Sequence, residues 1–252
     1  MRRRARTLGV AIALVGLAGG AVAQSGAVAN PVRDEAGAAN LGALVQGGFG
    51  VTEDRDGFGF LWAGVHAGKV LTPTVGKGMA RGNFEYGVEV FPFWQSYTPT
   101  QVRQNCVYAP GTNDTGVTCS APFTVGGTFT GVSVTPIILR WNFAGWERWT
   151  PWIQGAGGLL WTNHKYPAFG GLPVNGGGTS LNTAIGDNGP NDDTSVWNFT
   201  PQFGVGAHYF LGARRSIDFG ANAIHISSAS LGDKNPGINA SVQFTVGYSW
   251  WK

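Results

Sequence analysis

The last strand of the chain alternates without a break, and that alternation limits the fold more than any other feature. Ile238, Ala240, Val242, Phe244, Val246, Tyr248 and Trp250 fall on one side of a period-two pattern, and Asn239, Ser241, Gln243, Thr245 and Ser249 on the other. Successive side chains of a strand point to opposite faces, so this strand has one apolar face and one polar face. Residues 195–211 repeat the split: Trp197, Phe199, Phe203, Val205, Tyr209 and Leu211 against Asn198, Thr200, Gln202 and His208. Aromatics at both ends of an apolar face suit a strand whose outside meets lipid and whose inside meets a polar lumen. Charged residues make up 12% of the chain, about half the usual share, with 41 glycines and 10 tryptophans. A secreted β-sandwich would need more charge on its outward faces. After residue 23 no run of roughly twenty apolar residues occurs, which excludes a spanning helix.

Followed along the chain, the alternation predicts strands near 41–51, 58–71, 82–97, 129–143, 151–162, 195–211, 216–228 and 238–250. The fold class expected is all-β, an eight-stranded antiparallel transmembrane β-barrel over 41–252. Segments 72–81, 144–150 and 212–215 are the shorter connections, while 98–128 and 163–194 are long and rich in Gly, Asn, Pro and Thr. With the N-terminus in the periplasm, the long segments fall outside the cell together with 52–57 and 229–237. That is the sidedness of outer-membrane barrels, and it predicts the outer membrane of a Gram-negative-type bacterium. Eight strands leave a bore that side chains fill, which argues against a solute channel.

Residues 1–23 have the form of a secretory signal: Arg2, Arg3, Arg4 and Arg6, then an apolar core over Leu8–Leu17, then Ala21-Val-Ala23 as a cleavage site. The signal holds four Arg and no acid, so the 17 Lys+Arg and 14 Asp+Glu of the full chain become 13 and 14 after cleavage. The basic balance therefore belongs largely to the signal and is no argument for nucleic-acid binding. Residues 24–40, rich in Ala, Gly and Pro, read as a periplasmic lead-in. Export also makes a disulfide the natural reading of Cys106 and Cys119, worth roughly 3 kcal/mol for a loop of that size.

The chemistry sits near the C-terminus, in the run from Ala221 through His225, Ser227 and Asp233 to Asn235-Pro-Gly237 and Asn239. His225 and Ser227 are two apart on a predicted strand and share its face, continuing the row of Ile217, Phe219, Ala221 and Ala223. A histidine base beside a serine hydroxyl is the minimum for nucleophilic acyl transfer. Both groups fall on the lipid row at the extracellular end, where an unused polar pair is costly. The small Ala221 and Ala223 leave room there for an acyl chain.

This run resembles the active-site hairpin of the lipid A 3-O-deacylase (PagL-like) family of outer-membrane esterases. His225, Ser227, Asn235 and Gly237 match the family pattern; Ser228 stands where the family usually has Asn, and Asn239 stands at the place of the triad acid. The resemblance implies an esterase that removes an ester-linked acyl chain from lipid A, with Ser227 as nucleophile and His225 as base. It also implies Asn235 as an oxyanion donor, beside the backbone N–H of Gly237. Asn239 is then expected to orient His225 through its side-chain amide, with Asp233 as the alternative acid and a slow enzyme as the consequence. The partners implied are lipopolysaccharide of the outer leaflet and the membrane itself, with no cofactor, no metal and no nucleic acid. The competing reading is a catalytically inactive structural or adhesive small barrel.

The remaining polar residues read as structure. His66, His208, Glu85, Glu89 and Arg140 are expected to fill the lumen as a charge network. Asp187–Asp193 lacks the spacing of an EF-hand and reads as a solvated loop. The chain has no phosphate-binding glycine loop, no Gly-x-Ser-x-Gly elbow and no zinc spacing.

Overall fold

The computed structural model describes residues 29–35, 37–104, 106–108, 117–167, 172–173, 195–229, 231 and 239–252. Eight antiparallel strands form the wall: β1 (Ala39–Gly50), β2 (Gly59–Val70), β3 (Gly82–Gln104), β4 (Phe123–Phe143), β5 (Trp149–Tyr166), β6 (Ser195–Phe199 and Gln202–Gly212), β7 (Arg215–His225) and β8 (Ala240–Trp251). Each strand pairs with the next in sequence, and β8 returns to β1 from Asn40↔Trp251 to Gly50↔Ser241. The sheet is therefore closed and has no free edge, which is what a strand structure needs to cross lipid. No helix among the described residues is long and apolar enough to cross a membrane.

The two rows read from the sequence face as expected. Trp197, Phe203, Val205, Phe244, Val246 and Trp250 are exposed on the outside, while Asn198, His208, Ser241, Gln243 and Ser249 are buried within. An apolar belt of this kind is stable only against lipid.

The lumen is layered. Its lower half, toward the termini, holds the charge network. Glu85 lies opposite Arg140 in the β3–β4 register and is fully buried. It accepts from Arg140 Nη1 at 3.4 Å, Asn142 Nδ2 at 2.8 Å and Asn40 Nδ2 at 3.0 Å. Arg140 also donates to Gln154 Oε1, and its guanidinium lies 4.5 Å from the Trp152 ring. Inward-facing glycines leave space for that indole: a Cβ at Gly206 would stand 2.3 Å from Trp152 Cζ2. His66 meets Glu89 at 3.3 Å. His208 meets Asp218 at 2.6 Å through Nδ1, and Arg140 Nη1 approaches its Nε2 at 3.3 Å. Arg140 can only donate, so Nε2 accepts, and Nδ1–H donates to Asp218.

The loop-side half departs from the expected polar lumen. There the inward row is aromatic and aliphatic: Phe60, Trp62, Phe91, Trp94, Phe129, Tyr166, Ile224 and Ile226 form one buried cluster. Trp62 meets Phe91 edge-on at 5.0 Å, and Trp94 meets Tyr166 edge-on at 5.3 Å. A bore this narrow holds side chains rather than bulk water, so rings fill it as well as polar groups do.

Two further segments differ from expectation. The 98–128 connection is largely sheet, because β3 and β4 run on past the barrel and stay paired to Arg103↔Phe123. Above them a short ladder sets Cys106 opposite Cys119. The described part of the lead-in, in turn, plugs one end of the barrel. The short helix α1 (Pro31–Asp34) is capped by Asn30, whose side chain accepts from Arg33 N–H and donates to Thr150 Oγ1 at 2.8 Å. Val32 and Ala38 then pack with Val70, Phe210 and Trp251 across the end of the barrel where β1 begins and β8 ends.

Candidate active site

β7 ends at His225, and the chain keeps an extended course to Ser227, held by a bridge to Phe199. Ser227 N–H donates to Phe199 O at 3.0 Å, and His225 N–H donates to Pro201 O at 3.0 Å. The alternation therefore continues: Ile224, Ile226 and Ser228 are buried in the lumen, while His225 and Ser227 sit half-exposed on the outer row with Ala223. Ile224 and Ile226 belong to the aromatic cluster, so the polar pair stands on a backbone anchored from behind. The chain turns directly afterwards at Ala229, whose φ is 45°. Ser227 Oγ accepts the Ala229 N–H at 3.2 Å.

The groove expected below the pair has defined walls. In the register Ala223 lies between Phe203 of β6 and Val242 of β8, and Ala221 lies between Val205 and Phe244. Two methyl side chains thus form a floor between two ridges of larger apolar groups on the lipid face. Phe219, exposed on the same row, closes the lower end.

The orientation of His225 differs from the expectation. Its Nδ1 lies 2.9 Å from the main-chain carbonyl oxygen of Asn239. A carbonyl oxygen can only accept, so Nδ1 carries a hydrogen, and in the neutral ring Nε2 is left with the lone pair. The same carbonyl accepts Ile226 N–H at 3.0 Å, which ties β8 to the end of β7. The Asn239 side chain plays no part in this contact. It is 1% exposed on the lumen side, and among the described residues neither its Oδ1 nor its Nδ2 has a hydrogen-bond partner. Strict alternation on β8 points it inward, and no bulge brings it back. Position 239 does meet the imidazole, but through the backbone. No side-chain identity could have signalled that, since every residue supplies the same carbonyl. Asp233, Asn235 and Gly237 lie outside the described residues, as does the Asp187–Asp193 run.

The family model described as "Lipid A 3-O-deacylase (PagL)" matches residues 135–249, a stretch that takes in His225, Ser227 and Asn239. A comparison with curated proteins finds no match. Among solved structures, "Crystal structure of the outer membrane enzyme PagL" is 14% identical, with a TM-score of 0.38, covering 83% of this chain and 97% of that one. The N-terminal β-barrel domain of Pseudomonas aeruginosa OprF is 8% identical, with a TM-score of 0.35, covering 86% and 98%. Neither likeness is close enough to carry the reading of the site. A closed antiparallel barrel with this apolar belt is an outer-membrane protein. From the middle of β4 to the end of β8, where the half-exposed His225 and Ser227 stand, the chain is similar in sequence to the lipid A 3-O-deacylase (PagL) family.

Proposed function

We propose that this protein is an outer-membrane esterase that removes one ester-linked acyl chain from lipid A, with Ser227 as nucleophile and His225 as base. The observation that carries the reading is the fixed imidazole: a half-exposed histidine on the lipid face, its Nδ1–H held by the Asn239 carbonyl and its Nε2 free to take a proton. In the reaction His225 Nε2 accepts the Ser227 hydroxyl proton as Oγ attacks the ester carbonyl. The tetrahedral oxyanion collapses, the sugar oxygen leaves with the proton from His225, and an acyl-serine remains. Water, deprotonated by the same Nε2, then releases the fatty acid. Asn235 and the Gly237 N–H are the proposed oxyanion donors. The Ala221–Ala223 floor receives the acyl chain. Purified protein incubated with lipid A in detergent should convert it to a species lighter by one acyl chain, with the fatty acid recovered in equal amount.

Three variants test the parts. Ala223→Phe fills the groove between Phe203 and Val242, so kcat/KM on lipid A should fall by about 10- to 200-fold. Hydrolysis of a short water-soluble ester should be unchanged. Equal loss on both substrates would put the acyl chain elsewhere. Asn239→Leu should leave the rate unchanged, since the carbonyl stays, and should stabilise the barrel by about 1 kcal/mol by removing an unsatisfied buried amide. Asn239→Glu should give no gain in rate and should weaken the fold by burying a carboxylate. A rate loss in Asn239→Leu as deep as that of His225→Ala would return the orienting role to the side chain.

We also propose that Cys106 and Cys119 are linked, on the support of their direct opposition in the ladder. Peptide mapping without reductant should recover one linked pair; two separately alkylated cysteines would contradict it.

A further inference from the structure

At the end where β1 begins and β8 ends, the outer wall has an apolar cleft with no part in the chemistry. The β2–β3 connection supplies Met79 and Ala80, the end of β4 supplies Phe143, and Trp146 and Pro151 close it from the β4–β5 side. The cleft is open on one side, has a volume of about 380 Å³ and is almost wholly apolar. Met79 is 87% exposed and Trp146 49%. Large apolar groups this open to the surroundings need a partner.

Charge stands beside the cleft. Arg81 follows Ala80 directly, and its carbonyl accepts the Ala144 N–H, which ties the two loops together. Arg148 lies between Trp146 and Pro151. Both arginines are exposed, and among the described residues neither side chain makes a hydrogen bond or ion pair. Lys77, Arg214 and Lys252 extend the basic rim at the same end, where the exposed acids are Asp34, Glu35 and Glu147. Asp34 is already engaged by Arg33 at 2.6 Å.

We propose that this cleft is a binding site for an anionic glycerophospholipid of the inner leaflet. One acyl chain lies in the Met79–Trp146 cleft, and the phosphate sits between Arg81 and Arg148. The cleft lies on the outward-facing row, where β4 ends at Phe143 and β5 begins near Pro151. Guanidinium groups are suited to phosphate because they bind it with two parallel N–H donors. The site would hold the barrel at a fixed height in the membrane and lies at the far end of the wall from Ser227.

The test uses the full-length mature protein reconstituted in phosphatidylcholine bilayers that contain a growing fraction of dibrominated phosphatidylglycerol or, separately, dibrominated phosphatidylcholine. Bromine quenches a tryptophan it touches, and subtracting the same titration of Trp146→Phe isolates the signal of Trp146. Half-quenching of Trp146 is expected at about a thirtyfold lower fraction of the anionic lipid than of the zwitterionic one, an effect sized by two basic side chains near a membrane surface. In Arg81→Gln/Arg148→Gln the two curves should coincide, with the barrel confirmed as folded by its heat-modifiable mobility. Equal quenching by both lipids in the parent protein overturns the proposal, and that comparison needs no variant. So does a preference that survives the double variant, or a Trp146 that neither lipid reaches, as would follow if a second copy covered the cleft.

Discussion

Ser227→Ala and His225→Ala should each reduce fatty-acid release from lipid A by about 10⁶-fold, the size of loss seen when a serine nucleophile or its base is removed. The loss should fall on kcat rather than on KM, since neither side chain is needed to seat an acyl chain in the groove. The barrel itself should be indifferent. Both side chains stand half-exposed on the outer wall, and their row is held from behind by Ile224 and Ile226, which the variants do not touch. Ser227 makes its bridge to Phe199 with backbone atoms, so the alanine variant keeps it. The double variant should be no slower than either single one, because the two groups act as a unit. Release of fatty acid, read by mass spectrometry and normalised to folded protein on a heat-modifiable gel, checks all three. Parent-level rates in either single variant would move the chemistry away from this hairpin.

Arg140→Met should be the most damaging single change to the fold, costing about 3–5 kcal/mol, the penalty for stranding a buried charge. Arg140 ties together Glu85, Gln154, His208 and the Trp152 ring. Its removal leaves the fully buried Glu85 with amides and His66 around it but no full positive charge in contact. The second half of the prediction is the rescue. Glu85→Gln in the Arg140→Met background should recover most of the loss, because it removes the charge left without its counter-charge. Urea unfolding in detergent, followed by the loss of the compact gel band, measures both. An unrescued double variant would mean that Arg140 acts through packing on Trp152 and not through charge.

The wall of the barrel was readable because one physical rule writes it. A strand between lipid and a narrow lumen must alternate, and β6 and β8 do so residue by residue, down to His208 inside and Tyr209 outside. The Glu85–Arg140 pairing was readable for the same reason: both charges fall on inward rows of neighbouring strands, where an opposite charge is the natural partner. The aromatic fill above them was not. Phe60 and Trp62 sit on an inward row that the lipid rule assigns to polar residues, and only the width of an eight-stranded bore explains why rings go there. The length of β3 and β4 was hidden because nothing in Thr98–Gln104 marks where the membrane stops and a free-standing ribbon begins. At the site, the placing of His225 and Ser227 on one outer row followed from their spacing. The hydrogen bond that orients His225 did not. It comes from the carbonyl of Asn239, whose side chain points the other way, and a match to a family motif at that position reads the side chain only.

Whether this outer wall cuts an acyl ester is decided by mass spectrometry of lipid A after incubation with the purified, folded barrel and, in parallel, with its Ser227→Ala variant. A product lighter by one ester-linked acyl chain is expected with the parent protein, and intact lipid A with the variant. Intact lipid A with a folded parent, or equal conversion by both proteins, would contradict that expectation.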